Sequence, residues 1–441
     1  MILRVTIGNL YSFNEETEIS FVAGKSTNHA DHVSRAVKRD DISVLKAGII
    51  YGANASGKSN IIKAISLLQD ITLSGVPKQS VKPFKLSRNL RPSKVEIEFK
   101  AGKQFYAYGV EFNIRGIVEE WLYEINSRTD KLVFSRKTNE EGNEFEFGNI
   151  SGGEDNKQLA KFIGQGTPKT DSFLSEYIRR NGRGMDAIKT VHAWMKDSLK
   201  IIFPEHHNIQ ALSMKVEQNK EFAAATKSLL EYFNTGISDI KRVKINETDV
   251  ELPDQMTKNI LAEAEPNKGI GFSINKKTYF FETDKDGITT IYEQKAVHLN
   301  DKGERVAFDM EEESDGSFRL LDFIPMLIDL QLNDSVYLID ELDRSMHPMM
   351  SMELLKCYLK HLSPSLDTQM IFTTHESNLL NLDIIRADEV WFVEKDPHGA
   401  SRLTSLAEYK PREDVHKGYL QGRYGGIPFF ASTMNLNWNN G

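Results

Sequence analysis

One segment constrains the fold of this chain more than any other: Gly52-Ala53-Asn54-Ala55-Ser56-Gly57-Lys58-Ser59, which satisfies G-x-x-x-x-G-K-[ST]. It stands between a short apolar run, Ala47-Gly48-Ile49-Ile50-Tyr51, and a stretch in which Ile61, Ala64, Ile65 and Leu68 share one helical face. Strand, glycine turn and helix in that order make an anion cradle. The glycines let backbone N–H groups curl around a phosphate, and the helix start adds its dipole. Lys58 is expected to reach the β- and γ-phosphates, and the Ser59 hydroxyl to coordinate Mg²⁺. A tight turn without a ligand is the bland alternative, and the flanking strand and helix argue against it.

A second apolar run, Val336-Tyr337-Leu338-Ile339, ends in Asp340-Glu341. Beside a phosphate loop, a strand-terminal aspartate can hold Mg²⁺ through water. The next carboxylate can then accept a hydrogen bond from an attacking water and act as base. Two acids after a strand would otherwise be a solvated turn. Together with the loop they point to ATP hydrolysis rather than to a kinase, which has no need of Glu341.

Around these segments the chain reads as a mixed α/β protein. Leu3, Val5 and Ile7 alternate as a strand, and from Val95 to Leu122 alternating segments suggest an antiparallel meander with turns such as Ala101-Gly102-Lys103. Residues 156–232 change to a helical period, interrupted near Pro204, and strand-like segments return between Lys241 and Val306. From Phe318 onward, helices and strands alternate as in an α/β layer. The 441 residues suffice for about three domain-sized units or one large fold with an insertion. The net charge of −8 excludes a globally basic nucleic-acid binder, though not a local basic face. Cys357, the one cysteine, excludes a disulfide framework and a cysteine-cluster zinc site. No apolar run approaches the roughly 18–20 residues of a membrane span, and the N-terminus lacks a signal-peptide core. The expected setting is cytoplasmic, with no membrane partner.

The phosphate loop followed by Asn60 resembles that of SMC, RecN and other ABC-type ATPases of DNA maintenance, as does the opening Ile7-Gly8-Asn9-Leu10-Tyr11-Ser12-Phe13. Glu313-Ser314-Asp315-Gly316-Ser317 stands where that group carries its LSGGQ-like signature, with Asp315 in place of the first glycine. Asp340 through Pro348 resembles the Walker B strand and D-loop, particularly of OLD-like members. Thr373-Thr374-His375 ends another apolar strand where the group places its switch histidine. The whole is similar to the compact ATPases of abortive-infection and phage-defence operons, the AbiL/RloA-like group. Asp388 through Lys395 and Gly418 through Gly425 also look typical of it.

The resemblance implies a P-loop NTPase of ABC type, with Gly52 through Asn60 on nucleotide, Ser59 and Asp340 on Mg²⁺, Glu341 as base and His375 sensing the γ-phosphate. Ser314 and Gly316 would bind the nucleotide of the other subunit, in a homodimer or higher homo-oligomer; a plain helix cap at Ser314 is the alternative. The implied division is an ATPase half over 1–125, a mostly helical insertion over 126–240 and the second half over 241–441. No long coiled coil or C-x-x-C hook occupies the insertion. Arg179, Arg180 and Arg183, or Lys241, Arg242 and Lys244, could touch nucleic acid, but a solvated surface is the simpler reading. Glu205-His206-His207 is a weak candidate for a metal. Little chain follows His375, so an OLD-type Toprim nuclease is expected on a separate polypeptide. Two roles stay open: a sensor or regulator of a separate antiphage effector, and a DNA-repair or chromosome-organising ATPase that clamps DNA directly.

Overall fold

The computed structural model describes residues 1–34, 42–87, 91–205, 209–262, 265–266, 268–274, 276–411 and 414–427. The chain divides into two compact units. One comprises Met1–Phe203, Asn333–Leu342 and His361–Gly441, the other Pro204–Leu332 and Asp343–Lys360.

The first unit is built on two sheets. Its antiparallel sheet runs in the order Asn143–Phe147, Lys131–Thr138, Gly116–Ile125, Gln104–Asn113, Ser93–Ala101, Ile2–Gly8, Thr17–Ser20. The alternation of Leu3, Val5 and Ile7 is realised as buried side chains, with Arg4 and Thr6 half-exposed. Val95, Ile97 and Phe99 oppose them from the neighbouring strand, in register at Val5↔Ile97 and Ile7↔Val95. The meander extends beyond Leu122, through two further strands that reach Phe147 within the 126–240 segment.

The other sheet has the order Leu199–Ile202, Val336–Ile339, Gln369–Thr374, Ala47–Gly52, Val390–Lys395, Ser401–Ser405. All neighbours are parallel except the last pair. Ala47–Gly52 is buried along its whole length, as a parallel strand covered on both faces must be. The helix Lys58–Ser74 buries Ile61, Ala64, Ile65 and Leu68, the predicted face, in one core with Val5, Ile97 and Tyr108 of the meander and Ile50, Leu338 and Ile371 of the parallel sheet. The expected α/β class, a phosphate-loop core with an antiparallel meander, is what the chain forms. Within the stretch 156–232, expected to be helical, Leu199–Ile202 instead forms the edge strand of the parallel sheet, because it pairs with Val336–Ile339.

The second unit centres on the antiparallel strands Asp239–Ile245, Thr289–Leu299, Lys277–Thr283 and Gly269–Ile274, with Arg305–Asp309 also paired to Thr289–Leu299. Helices Ile209–Gln218, Lys220–Tyr232 and Asp315–Leu332 share a core with Ile240 and Ala296 of that sheet. The helix Pro348–Lys360 opens on proline, which is favoured at a first helical position because no N–H is needed there. Among the described residues no helix is long and apolar enough to cross a membrane.

Candidate functional site

Strand order decides which loops meet. Gln369–Thr374 lies between Val336–Ile339 and Ala47–Gly52, with Ile339↔Phe372 and Thr374↔Tyr51 in register. Because the three strands are parallel, Asp340, His375 and the phosphate loop all emerge at one edge. Carboxyl ends of parallel strands are where open α/β sheets place their ligands.

The loop itself is tightly constrained. Gly57 has φ 114° and Ala55 φ 62°, so successive peptides turn through left-handed conformations that curl N–H groups inward. A Cβ on Gly57 would lie 2.2 Å from Ser401 Oγ and 2.5 Å from Ser12 Oγ. On Gly52 it would lie 2.5 Å from both Ser56 Oγ and the Val393 carbonyl oxygen. Lys58 is buried and its ammonium donates to the carbonyls of Gly52 (2.8 Å) and Ala53 (3.2 Å). It thus sits over its own loop, 3.5 Å from Nδ1 of the exposed His375. Asn54 and Ala55 are exposed, Ser59 and Asn60 half-buried. Among the described residues, the buried Ser56 hydroxyl has no hydrogen-bond partner. An orphaned hydroxyl and a cation held by carbonyls in a left-handed glycine turn fit a phosphate group. Ser59 at the helix start and Asp340 at the edge supply the hard oxygen ligands that Mg²⁺ prefers.

At the acidic strand end, Asp340 is 3% exposed and its Oδ1 accepts from Thr373 Oγ1 at 2.7 Å. The same Thr373 oxygen accepts from the Glu341 N–H at 2.8 Å. One hydroxyl therefore bridges both acids. Glu341 has φ 53°, a conformation a glutamate adopts only when its surroundings hold it there. Thr373 carries no sequence signal of such a role beyond its place just before His375.

Beside the phosphate-loop helix, a cavity of about 270 Å³ is lined by residues including Tyr11, Lys63, Ser66 and Asp70. Burial pushes the Tyr11 hydroxyl up to about 12, with the Asp70 charge adding to the effect, and burial raises the Asp70 carboxyl as well.

Ser314 and Gly316 lie in the second unit. Ser314 Oγ accepts from the Ser317 N–H at 3.0 Å and is 2.9 Å from Ser317 Oγ, at the start of the helix Asp315–Leu332. A Cβ on Gly316 would stand 3.1 Å from the Ser345 carbonyl oxygen, so this helix start abuts the segment after the acidic strand. Half of the six clustered basic residues have carboxylate partners. Arg179 and Arg180 pair with Glu176, and Arg242 with Glu217 (2.6 Å) and Glu282 (2.5 Å). His206 and His207 lie outside the described residues, and among the described residues no group of three or more His, Cys, Asp or Glu could hold a metal ion. Cys357, the one cysteine of the chain, is buried and forms no internal disulfide.

A phosphate loop and an acidic strand end at one edge of a parallel sheet define a P-loop nucleotide-binding core. The chain belongs to the family described as "AAA domain, putative AbiEii toxin, Type IV TA system", whose sequence model matches residues 49–381. It is similar to the SMC head domain from Thermotoga maritima at 13% identity, over 92% of this chain and 98% of that one, with a TM-score of 0.37. It is also similar to the SmcHead bound to the C-winged helix domain of ScpA, at 13% identity over 93% and 99%, with a TM-score of 0.43. No curated protein matches it.

Proposed function

We propose that this chain binds ATP with Mg²⁺ and hydrolyses it, as one half of a head-to-tail homodimer. The observation that carries this reading is the Thr373 bridge at the edge that also bears Lys58: Asp340 and Glu341 are held together by Thr373, whose strand lies next to that of the phosphate loop. Backbone N–H groups of 52–57 and the Lys58 ammonium bind the β- and γ-phosphates. Lys58 exchanges its two carbonyl partners for phosphate oxygens. Ser59 and Asp340 hold Mg²⁺, which when bound supplies charge neutralisation at the phosphates. Glu341 accepts the proton of the attacking water as the new P–O bond forms and the bond to the ADP oxygen breaks. His375, beside Lys58, contacts the γ-phosphate and reports its presence. Ser314 and Gly316 serve the nucleotide held by the other subunit.

The biological role follows the family. Its description names an AbiEii toxin and a type IV TA system, which supports a part in abortive infection. We assign the chain as a nucleotide-dependent sensor or regulator of a separate effector, a nuclease of Toprim type on another polypeptide. Glu341→Gln tests the chemistry. It should keep ATP affinity and slow hydrolysis by about 10²–10⁴-fold, the range lost with a general base. Turnover near the wild-type rate removes Glu341 from that role. Purification with native partners tests the regulatory reading: an effector should co-purify, and strong stimulation of turnover by DNA would count against it.

A further inference from the structure

The phosphate loop is held from behind by hydroxyls outside its own motif. Ser401 opens the strand Ser401–Ser405 at the far edge of the parallel sheet, and its N–H donates to the Ser12 carbonyl at 2.7 Å. Its hydroxyl lies 2.5 Å from the Ser56 carbonyl oxygen and 2.8 Å from Ser12 Oγ. Ser12 Oγ in turn accepts from Asn60 Nδ2 at 2.8 Å. Ser12, Ser56 and Ser401 are all at least nine-tenths buried.

The Ser56 carbonyl and Ser12 Oγ both accept from the Ser401 hydroxyl, whose single proton is shared between them. The Asn60 amide can only donate through its NH₂, so Ser12 Oγ also receives from the helix. The relay joins Asn60 on the helix, through Ser12 and Ser401, to the loop backbone.

We propose that Ser401 is a positioning residue for the phosphate loop, fixing the Ser56–Gly57 peptide through this relay; the proposal rests on the loop being the nucleotide site. The physical link is the planarity of a trans peptide. Its C=O and N–H point in opposite directions, so tying the Ser56 oxygen back to Ser401 aims the Gly57 N–H the other way. Gly57, at φ 114°, has no side chain to hold that peptide and could otherwise rotate freely. The two serine oxygens that a Gly57 Cβ would strike occupy the space into which the loop could relax. A donor fixed before the anion arrives needs no reordering on binding.

The test uses the full chain and measures ATP and ADP dissociation constants, kcat, KM and the thermal midpoint without nucleotide. Ser401→Ala should weaken ATP and ADP about tenfold, the worth of one hydrogen bond. KM should rise by the same factor while kcat at saturation stays within about threefold, because the lost interaction serves ground state and transition state alike. Ser12→Ala breaks the same relay one step earlier, so the double variant should bind no more than about twofold worse than the weaker single one. If Ser401→Ala does not fold, Ser12→Ala carries the measurement alone. A lowered thermal midpoint with unchanged nucleotide affinity makes the relay merely structural and overturns the proposal, as does full additivity of the two variants. Lys58→Ala separates the two levels. If it leaves ATP affinity intact, the nucleotide reading of the loop fails and the proposal falls with it. If it abolishes binding while Ser401→Ala changes nothing, only the relay is refuted.

Discussion

Thr373→Val tests whether one hydroxyl organises the acidic strand end. Valine keeps the β-branched shape and removes the oxygen that donates to Asp340 and accepts from the Glu341 N–H. A hydrogen bond to a charged group contributes about 1.5–3 kcal/mol, and an N–H left without an acceptor costs about 1–3 kcal/mol when buried. Asp340 is almost wholly buried, so the first contribution applies in full; Glu341 is half-buried, so water recovers part of the second. The expected loss is about 3 kcal/mol. With a urea slope of about 3 kcal/mol per M, the denaturation midpoint should fall by roughly 1 M. Trp121, Trp194 and Trp391 all lie in the unit that contains Thr373, so tryptophan fluorescence follows the right transition. Thr373→Ser, which retains the oxygen, should stay within about 1.5 kcal/mol of wild type. Without its anchor, Glu341 no longer has to hold φ 53°, and ATP turnover should drop by more than about tenfold while nucleotide affinity, set on another strand, changes little. A valine variant as stable as wild type and with full turnover refutes the bridge.

Two further outcomes are expected. Glu120 is fully buried, accepts from the N–H groups of Phe173 (2.8 Å) and Leu174 (3.3 Å) and lies 3.5 Å from buried Arg136; Glu120→Ala should destabilise the first unit by about 3–5 kcal/mol in urea, and a loss under about 1 kcal/mol contradicts the assignment. Lys58→Ala and Ser314→Arg should each be inactive, yet an equilibrated equimolar mixture should regain up to about a quarter of wild-type hydrolysis, since half the dimers are mixed and each holds one intact site. If subunit exchange is verified and neither activity nor ATP-dependent crosslinking returns, Ser314 is only a helix cap.

The parts of the fold legible in the sequence are those whose signal is local. The phosphate loop needs only its own glycines and the strand and helix on either side. Leu3, Val5 and Ile7 alternate because one face of an antiparallel strand is buried. Strands with weaker contrast are harder to read. Asn143–Phe147 is half-exposed on one face and exposed on the other, so its pattern is shallow. Leu199–Ile202 is four residues between helices, a run too short for its period to separate strand from helix. What makes it a strand is its partner Val336–Ile339, more than a hundred positions away.

The candidate site divides along the same line. Lys58, Asp340 and His375 stand out because each ends an apolar run or follows a glycine turn, but nothing in those runs says that the histidine strand lies between the other two. That order is a property of the assembled sheet, and it decides that His375 comes within 3.5 Å of Lys58. The roles that escape sequence reading are those of small hydroxyls: Thr373 between the two acids, Ser12 and Ser401 behind the loop. A hydroxyl is a compact group that donates once and accepts twice, so it can join two backbone or carboxylate atoms in a gap with no room for an amide. Such a role depends on the width of the gap, which is set by strands hundreds of positions apart in the chain. Ser401 in its own neighbourhood, Gly399-Ala400-Ser401-Arg402, is an ordinary hairpin serine. Its meaning comes from the Ser56 carbonyl 2.5 Å away, which is why substitutions there, rather than in the motif, ask whether the loop's geometry is made locally or imposed from outside.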